Sequence, residues 1–123
     1  MTNPTNKTCK PFLKSFGHAY NGIKYVFKNE KNFRLHTMIA VVVLFAGFYV
    51  KCSLLEFALL VVVISLVLVT EMINSAIEYT WDKLEPNHHP VVGVIKDVMA
   101  GSVLVASVSA VIIGLIIICK GLI

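Results

Sequence analysis

The chain has 123 residues, 57% of them hydrophobic and 15% charged, with a net charge of +4. A domain of this size leaves much of its surface uncovered, so a mean hydropathy of +0.79 makes lipid part of its solvent and excludes an ordinary soluble domain. The basic residues form no nucleic-acid recognition motif, so no nucleic-acid partner is expected, and Cys9, Cys52 and Cys119 lack the spacing of a disulfide framework or a zinc site.

Residues 1–9, with Pro4 and several Thr and Asn, read as a loose lead-in. Over residues 10–32, Phe12, Phe16, Tyr20, Ile23 and Phe27 recur at three or four residues among Lys14, Lys24 and Lys28, which predicts an amphipathic helix lying in the membrane interface. Apolar runs follow at 35–50, 54–70 and 98–119. A span takes roughly 17–25 mostly apolar residues, so each run predicts a membrane helix, the first reaching length only with His36 and Thr37 at the interface. That first run begins more than thirty residues in, with no small-residue cleavage site after it, unlike a signal peptide. The expected fold is therefore an all-α integral membrane protein, one domain over 1–123, with an interfacial helix and three transmembrane helices. Residues 71–97 form a helix extension and loop between the last two spans. Ser102, Ala106, Ala110 and Gly114 repeat every four residues in the third span, a small-residue stripe for close helix packing.

Nine of the cations, Lys7 to Arg34 together with Lys83 and Lys96, flank one side of the spans, and only Lys51 and Lys120 flank the other. The positive-inside rule then places the N-terminus and the 71–97 loop in the cytoplasm, with the C-terminus outside. Six of the seven acids fall on that cytoplasmic side. Glu71, Asn74, Glu78 and Asp82 follow one another at intervals of three, four and four, one face of a helix continuing the second span. Carboxylates at the edge of hydrocarbon are rarely idle, and three on one face repel unless a cation or protons intervene. A divalent metal such as magnesium explains them economically. The plainer alternative is that they solvate a helix end and pair with Lys83 and Lys31, an arrangement ordinary for Asp82 and Glu85. Lys96 and Asp97 open the third span, where a helix N-terminus favours phosphate. With no nucleotide loop or kinase signature of the soluble type, pattern alone leaves a membrane-interface phosphoryl-transfer enzyme, a small ion-coupled transporter or a silent structural subunit.

The run Glu71-Met72-Ile73-Asn74-Ser75-Ala76-Ile77-Glu78, followed by Asp82, resembles the signature of the small prokaryotic diacylglycerol kinase and undecaprenol kinase family. Lys96-Asp97 with Ala100-Gly101 resembles a second motif of that family, and Asn29-Glu30 with Asn32-Phe33-Arg34 a third, so the likeness covers about residues 12–119 in the right order. It implies a homotrimer in the bacterial cytoplasmic membrane, with active sites shared between chains, that transfers the γ-phosphoryl group of Mg-ATP to a lipid hydroxyl. By position, Glu71 matches the general base, Glu30 and Glu78 the Mg2+-binding carboxylates, and Asn74 and Asp97 polar site residues. Lys96 matches the lysine that meets the phosphates, and His89 and Gly93 lie where the nucleotide binds, with Asn87 a weaker match. Phe33-Arg34-Leu35-His36 and Ala100-Gly101 look more like the undecaprenol branch than the diacylglycerol branch. Trp81, Pro11 and His18 depart from the pattern, outside the acid, asparagine and lysine set.

Overall fold

Helices extend well beyond the apolar runs that seed them. A computed structural model describes residues 9–87 and 89–123, with side chains from Pro11 onward, as four helices: α1 Cys9–Asn29, α2 Lys31–Tyr49, α3 Leu54–Leu84 and α4 Pro90–Leu122. The described residues contain no strand, and α2, α3 and α4 are each long and apolar enough to cross a membrane. The chain is thus an all-α membrane protein. All of the expected lead-in but Cys9 lies outside the described residues.

In α1 the apolar stripe stays uncovered: Phe12, Leu13, Phe16, Tyr20 and Ile23 are all exposed, as suits a helix that buries one face in lipid rather than in protein. Only its last turns meet the bundle, through buried Val26, a Tyr25–Tyr79 edge contact at 6.0 Å and a Phe27–Phe33 contact at 6.5 Å. Glu30 breaks the chain between α1 and α2, in extended backbone at φ −108° and ψ 109°. The break is held by Arg34, whose Nη1 donates to the carbonyl oxygens of Phe27 and Lys28, each at 2.8 Å. Those are carbonyls that the end of α1 leaves without partners, and a cation there also meets the negative end of the helix dipole.

The turn from α2 to α3 is tight. Lys51 takes a left-handed φ of 54°, which lets Lys51 N–H reach the Phe48 carbonyl and Cys52 N–H the Gly47 carbonyl, both at 3.1 Å. Ser53 then caps α3 in a reciprocal box: its Oγ accepts from Glu56 N–H at 3.2 Å, and its own N–H donates to Glu56 Oε2 at 2.8 Å. The other oxygen of Glu56 accepts from Lys120 Nζ at 2.7 Å, tying the end of α4 to the start of α3. At the opposite end of the same helix pair, Lys96 Nζ donates to Asp82 Oδ1 at 2.5 Å.

Between these two ties the core is narrow. Leu60, Val63 and Val67 of α3, Ala106 and Ile117 of α4, and Phe33 and Ala40 of α2 are buried. In the small-residue stripe Ala106 and Gly114 are buried while Ser102 and Ala110 are half-buried, so the stripe faces the bundle. An apolar groove of about 290 Å³ remains between α2, α3 and α4.

One expectation is corrected. Lys96 and Asp97 do not sit at a helix N-terminus, because α4 begins at Pro90, with His89 as its cap accepting from Val91 N–H at 3.2 Å. Proline suits a first helical position, where no amide bond is needed, and the valines after it carry the helix on. The backbone amides of Lys96 and Asp97 therefore lie inside the helix and are not free to meet a phosphate; only their side chains are.

Candidate active site

Along α3 the residues Leu60, Val63, Val67, Glu71 and Ser75 form one buried stripe, so Glu71 occupies a position the periodicity otherwise gives to apolar side chains. It is 3% exposed. Ser75 Oγ donates to the Glu71 carbonyl at 2.9 Å, which serves the backbone and leaves the carboxylate unmet. Among the described residues no side chain donates to that carboxylate. An ionised carboxyl group held there without a donor is strongly unfavourable unless a proton or a cation meets it.

What surrounds it sharpens the point. Glu30 and Glu78 lie near enough to repel a charge on Glu71, and His36 near enough to attract it. One turn along, Asn74 Oδ1 is buried with no hydrogen-bond donor. Glu30 and Glu78 are both half-buried. The break at Glu30, α1 packed on α3 through Tyr25 and Tyr79, and the 3.6-residue turn of α3 bring these oxygens together from distant parts of the chain.

The remaining expected residues stand further along the molecule. Asp82 is exposed and bonded to Lys96 across the helix pair, while Lys83 lies over the Tyr79 ring at 5.7 Å. Asp82 lies eleven residues from Glu71, about 16 Å along the helix, which sets Lys96, Gly93 and His89 apart from Glu71 within one chain, while Glu78 lies one turn from Asp82. His89 serves as the α4 cap, Gly93 is half-buried and Asp97 is exposed. Cys52 and Cys119 belong to the opposite end, beside the α2–α3 turn and the end of α4.

No group of three or more His, Cys, Asp or Glu side chains among the described residues converges enough to hold a metal ion alone. Magnesium commonly uses only one or two carboxylates and completes its shell with water and substrate phosphate. Glu30, Glu78 and the orphaned Asn74 oxygen are hard donors of that kind, so the residues present fit a cation that arrives with a polyphosphate.

Three further residues matter that the motifs did not single out for a site role. Arg34 holds the α1–α2 break. His36 lines the head of the apolar groove, and Ser107 lines it too, with a buried Oγ that has no partner. Nothing in the sequence marks Ser107, because a serine in a membrane helix ordinarily bonds back to its own backbone, as Ser102 does to Met99 and Ser109 to Val105.

Residues 17–118 match the family model described as prokaryotic diacylglycerol kinase. The chain belongs to that family. It is 41% identical over 106 residues to an undecaprenol kinase from Bacillus subtilis, covering 86% of each protein. It is 35% identical over 103 residues to a diacylglycerol kinase from Synechocystis, covering 83% of this chain and 59% of that longer protein. A diacylglycerol kinase from Escherichia coli matches at 28% over 100 residues, 81% of this chain and 82% of that one. Kinase membership decides for phosphoryl transfer over ion-coupled transport, with ATP as the phosphoryl donor and a lipid as the acceptor.

Proposed function

We propose that this chain phosphorylates undecaprenol at the cytoplasmic face of a bacterial membrane, as a homotrimer using Mg-ATP, with Glu71 as the general base. The observation that carries the reading is Glu71 itself, a carboxylate in the core stripe of a membrane helix with no donor, facing further acids and an orphaned amide oxygen. Its burial keeps water from competing for the proton that it must take from the lipid alcohol.

In the reaction the lipid hydroxyl donates its hydrogen to Glu71. As the hydroxyl oxygen bonds to the γ-phosphorus, the bond from that phosphorus to its bridging oxygen breaks, ADP leaves, and the proton rests on Glu71 until it is released to water. The charge spread over the transferring group calls for positioning and neutralisation more than covalent help. Lys96 supplies a positive charge to the phosphates when it leaves Asp82, and its cross-helix tie keeps it at the membrane edge in the meantime. Glu30, Glu78 and Asn74 would hold the cation, which when bound offsets the phosphate charge. Arg34 sets Glu30 by holding the end of α1. Asp97, His89 and Gly93 border the nucleotide on the α4 side. The distance between the Lys96 group and Glu71 in one chain suits a site completed across a trimer interface. The surplus of cations near α1 and the 71–97 segment supports a cytoplasmic position for this end and an outside C-terminus.

Undecaprenol is favoured over diacylglycerol by the 41% identity to the undecaprenol kinase, together with the sequence Phe33-Arg34-Leu35-His36. The test is transfer of labelled γ-phosphate to undecaprenol and to diacylglycerol, presented at equal surface concentration to the protein in mild detergent. Preference for undecaprenol, abolished by removing magnesium, is the expected result. Preference for diacylglycerol moves the chain to the other branch, and transfer to neither overturns the reading.

A further inference from the structure

Helix register places two polar side chains, His36 and Ser107, at the depth of Glu71, and neither has been given a role in the reaction above. Gly47 of α2 packs so closely on α3 that a Cβ there would meet Leu60 Cδ1 at 3.1 Å. Because α2 and α3 run antiparallel, eleven residues along each from that contact, about 16 Å, leads to His36 on one helix and Glu71 on the other. The Asp82–Lys96 pair registers α3 against α4 in the same way. Eleven residues inward from it, again about 16 Å, lie Glu71 and Ser107. His36, Glu71 and Ser107 therefore share one level of the bundle.

His36 and Ser107 also line the 290 Å³ groove, whose other lining residues, from Val67 and Val63 to Gly114 and Ile118, are all apolar. The groove has the character of an amphiphile: polar at the depth of Glu71, hydrocarbon beyond. His36 is half-buried and makes no hydrogen bond among the described residues, and the Ser107 hydroxyl is buried without one. A buried hydroxyl that forgoes even its own helix carbonyl is costly unless a ligand meets it. Gly114, although buried, has nothing within 4 Å of an added Cβ, so the space beyond the polar end is open to a chain.

We infer that His36 and Ser107 receive the hydroxyl of the lipid alcohol at the head of this groove, with its hydrocarbon chain lying along the groove away from Glu71. The inference rests on the kinase reading above. The hydroxyl oxygen has one hydrogen and two lone pairs. Its hydrogen points to Glu71, one lone pair accepts from the His36 ring N–H, and the other accepts from Ser107 until it turns to the γ-phosphorus. His36 thus acts on both bound substrate and transition state, whereas Ser107 acts on the bound substrate alone. That division separates their kinetics: losing a bond made in both states lowers kcat/KM, whereas losing one given up before the transition state raises KM and kcat together and leaves kcat/KM unchanged.

The experiment measures kcat and KM for undecaprenol and for ATP in wild type, His36→Leu, His36→Gln and Ser107→Ala. It also measures the rise in melting temperature that undecaprenol produces without ATP. His36→Leu is expected to lower kcat/KM for the lipid about tenfold, the value of one hydrogen bond, with KM for ATP unchanged and the lipid-induced stabilisation lost. His36→Gln, which keeps an N–H donor, restores most of it. Ser107→Ala raises lipid KM about threefold to tenfold with kcat rising in step, so that kcat/KM stays near wild type, and as a small isosteric change it reports on the groove even if His36→Leu does not fold. Lipid KM within twofold of wild type in both His36→Leu and Ser107→Ala overturns the inference, as does an equal rise in KM for lipid and ATP, or a Gln variant no better than Leu. Each of these leaves wild-type transfer intact and so leaves the kinase reading standing. Wild type that phosphorylates no lipid alcohol removes both.

Discussion

The two ends of the α3–α4 pair hold their carboxylates in opposite ways. At one end Glu56 is fully met: the Ser53 amide takes one oxygen, Lys120 the other, and the arrangement closes the first turn of α3. At the other, Glu71 is more deeply buried and has no donor, with Asn74 Oδ1 and Ser107 Oγ left unmet nearby. A satisfied polar group stabilises a fold, and an unsatisfied one in the same bundle calls for an explanation, which the proposed site supplies. One end is closed by its own side chains; the other carries the polar groups of the proposed site.

Exchanging the two glutamates for glutamine is the most direct way to break this comparison. Glu71→Gln is expected to lower turnover about 10²–10⁴-fold, the usual worth of a general base, while the protein melts no earlier than wild type. Glu56→Gln is expected to do the reverse, lowering the melting temperature with turnover unchanged. If both variants lose activity in proportion to stability, the distinction between the ends is gone. Next in size, Lys96→Met should raise KM for ATP about tenfold, whereas Asp82→Asn, which breaks the same ion pair but frees the lysine, should leave it near wild type. Equal effects from the two would mean that the tie matters and the lysine charge does not. Ser53→Ala removes the α3 cap and should lower stability by about 1 kcal/mol in a reversible denaturation, with unchanged lipid and ATP kinetics. The smallest effect belongs to Lys120→Met, whose exposed ion pair should shift the melting temperature by no more than about 4 °C and the activity not at all.

The acids were legible in the sequence because their spacing matches a helical turn and their position ends an apolar run. Reading Glu71, Asn74 and Glu78 as one face needed only the 100° step between residues. Glu30 is a different case. Its motif was visible, but its approach to Glu71 depends on the break after Asn29 and on Arg34 reaching back to Phe27 and Lys28, which no periodicity encodes. The start of α4 is hidden from the sequence for a related reason: hydropathy rises near Val98, while the helix starts where Pro90 and the His89 cap allow it. Hydropathy reports the lipid boundary, and capping reports the helix boundary, and here the two differ by two turns.

By itself the sequence determined that the chain lives in a membrane, that three of its helices are apolar enough to cross it, and that its carboxylates gather beside one end of them. These follow from composition and local period, which act through each residue's own transfer from water and its place on the helix. Only the tertiary structure decided that Glu71 is buried without a donor, that Lys96 holds Asp82, and that the register of the helices sets His36 and Ser107 at the depth of Glu71. Those facts depend on the register between antiparallel helices, set by close approaches such as Gly47 on Leu60 and by cross-helix pairs many residues apart. Sequence spacing measures distance along one helix; only packing converts it into distance between helices.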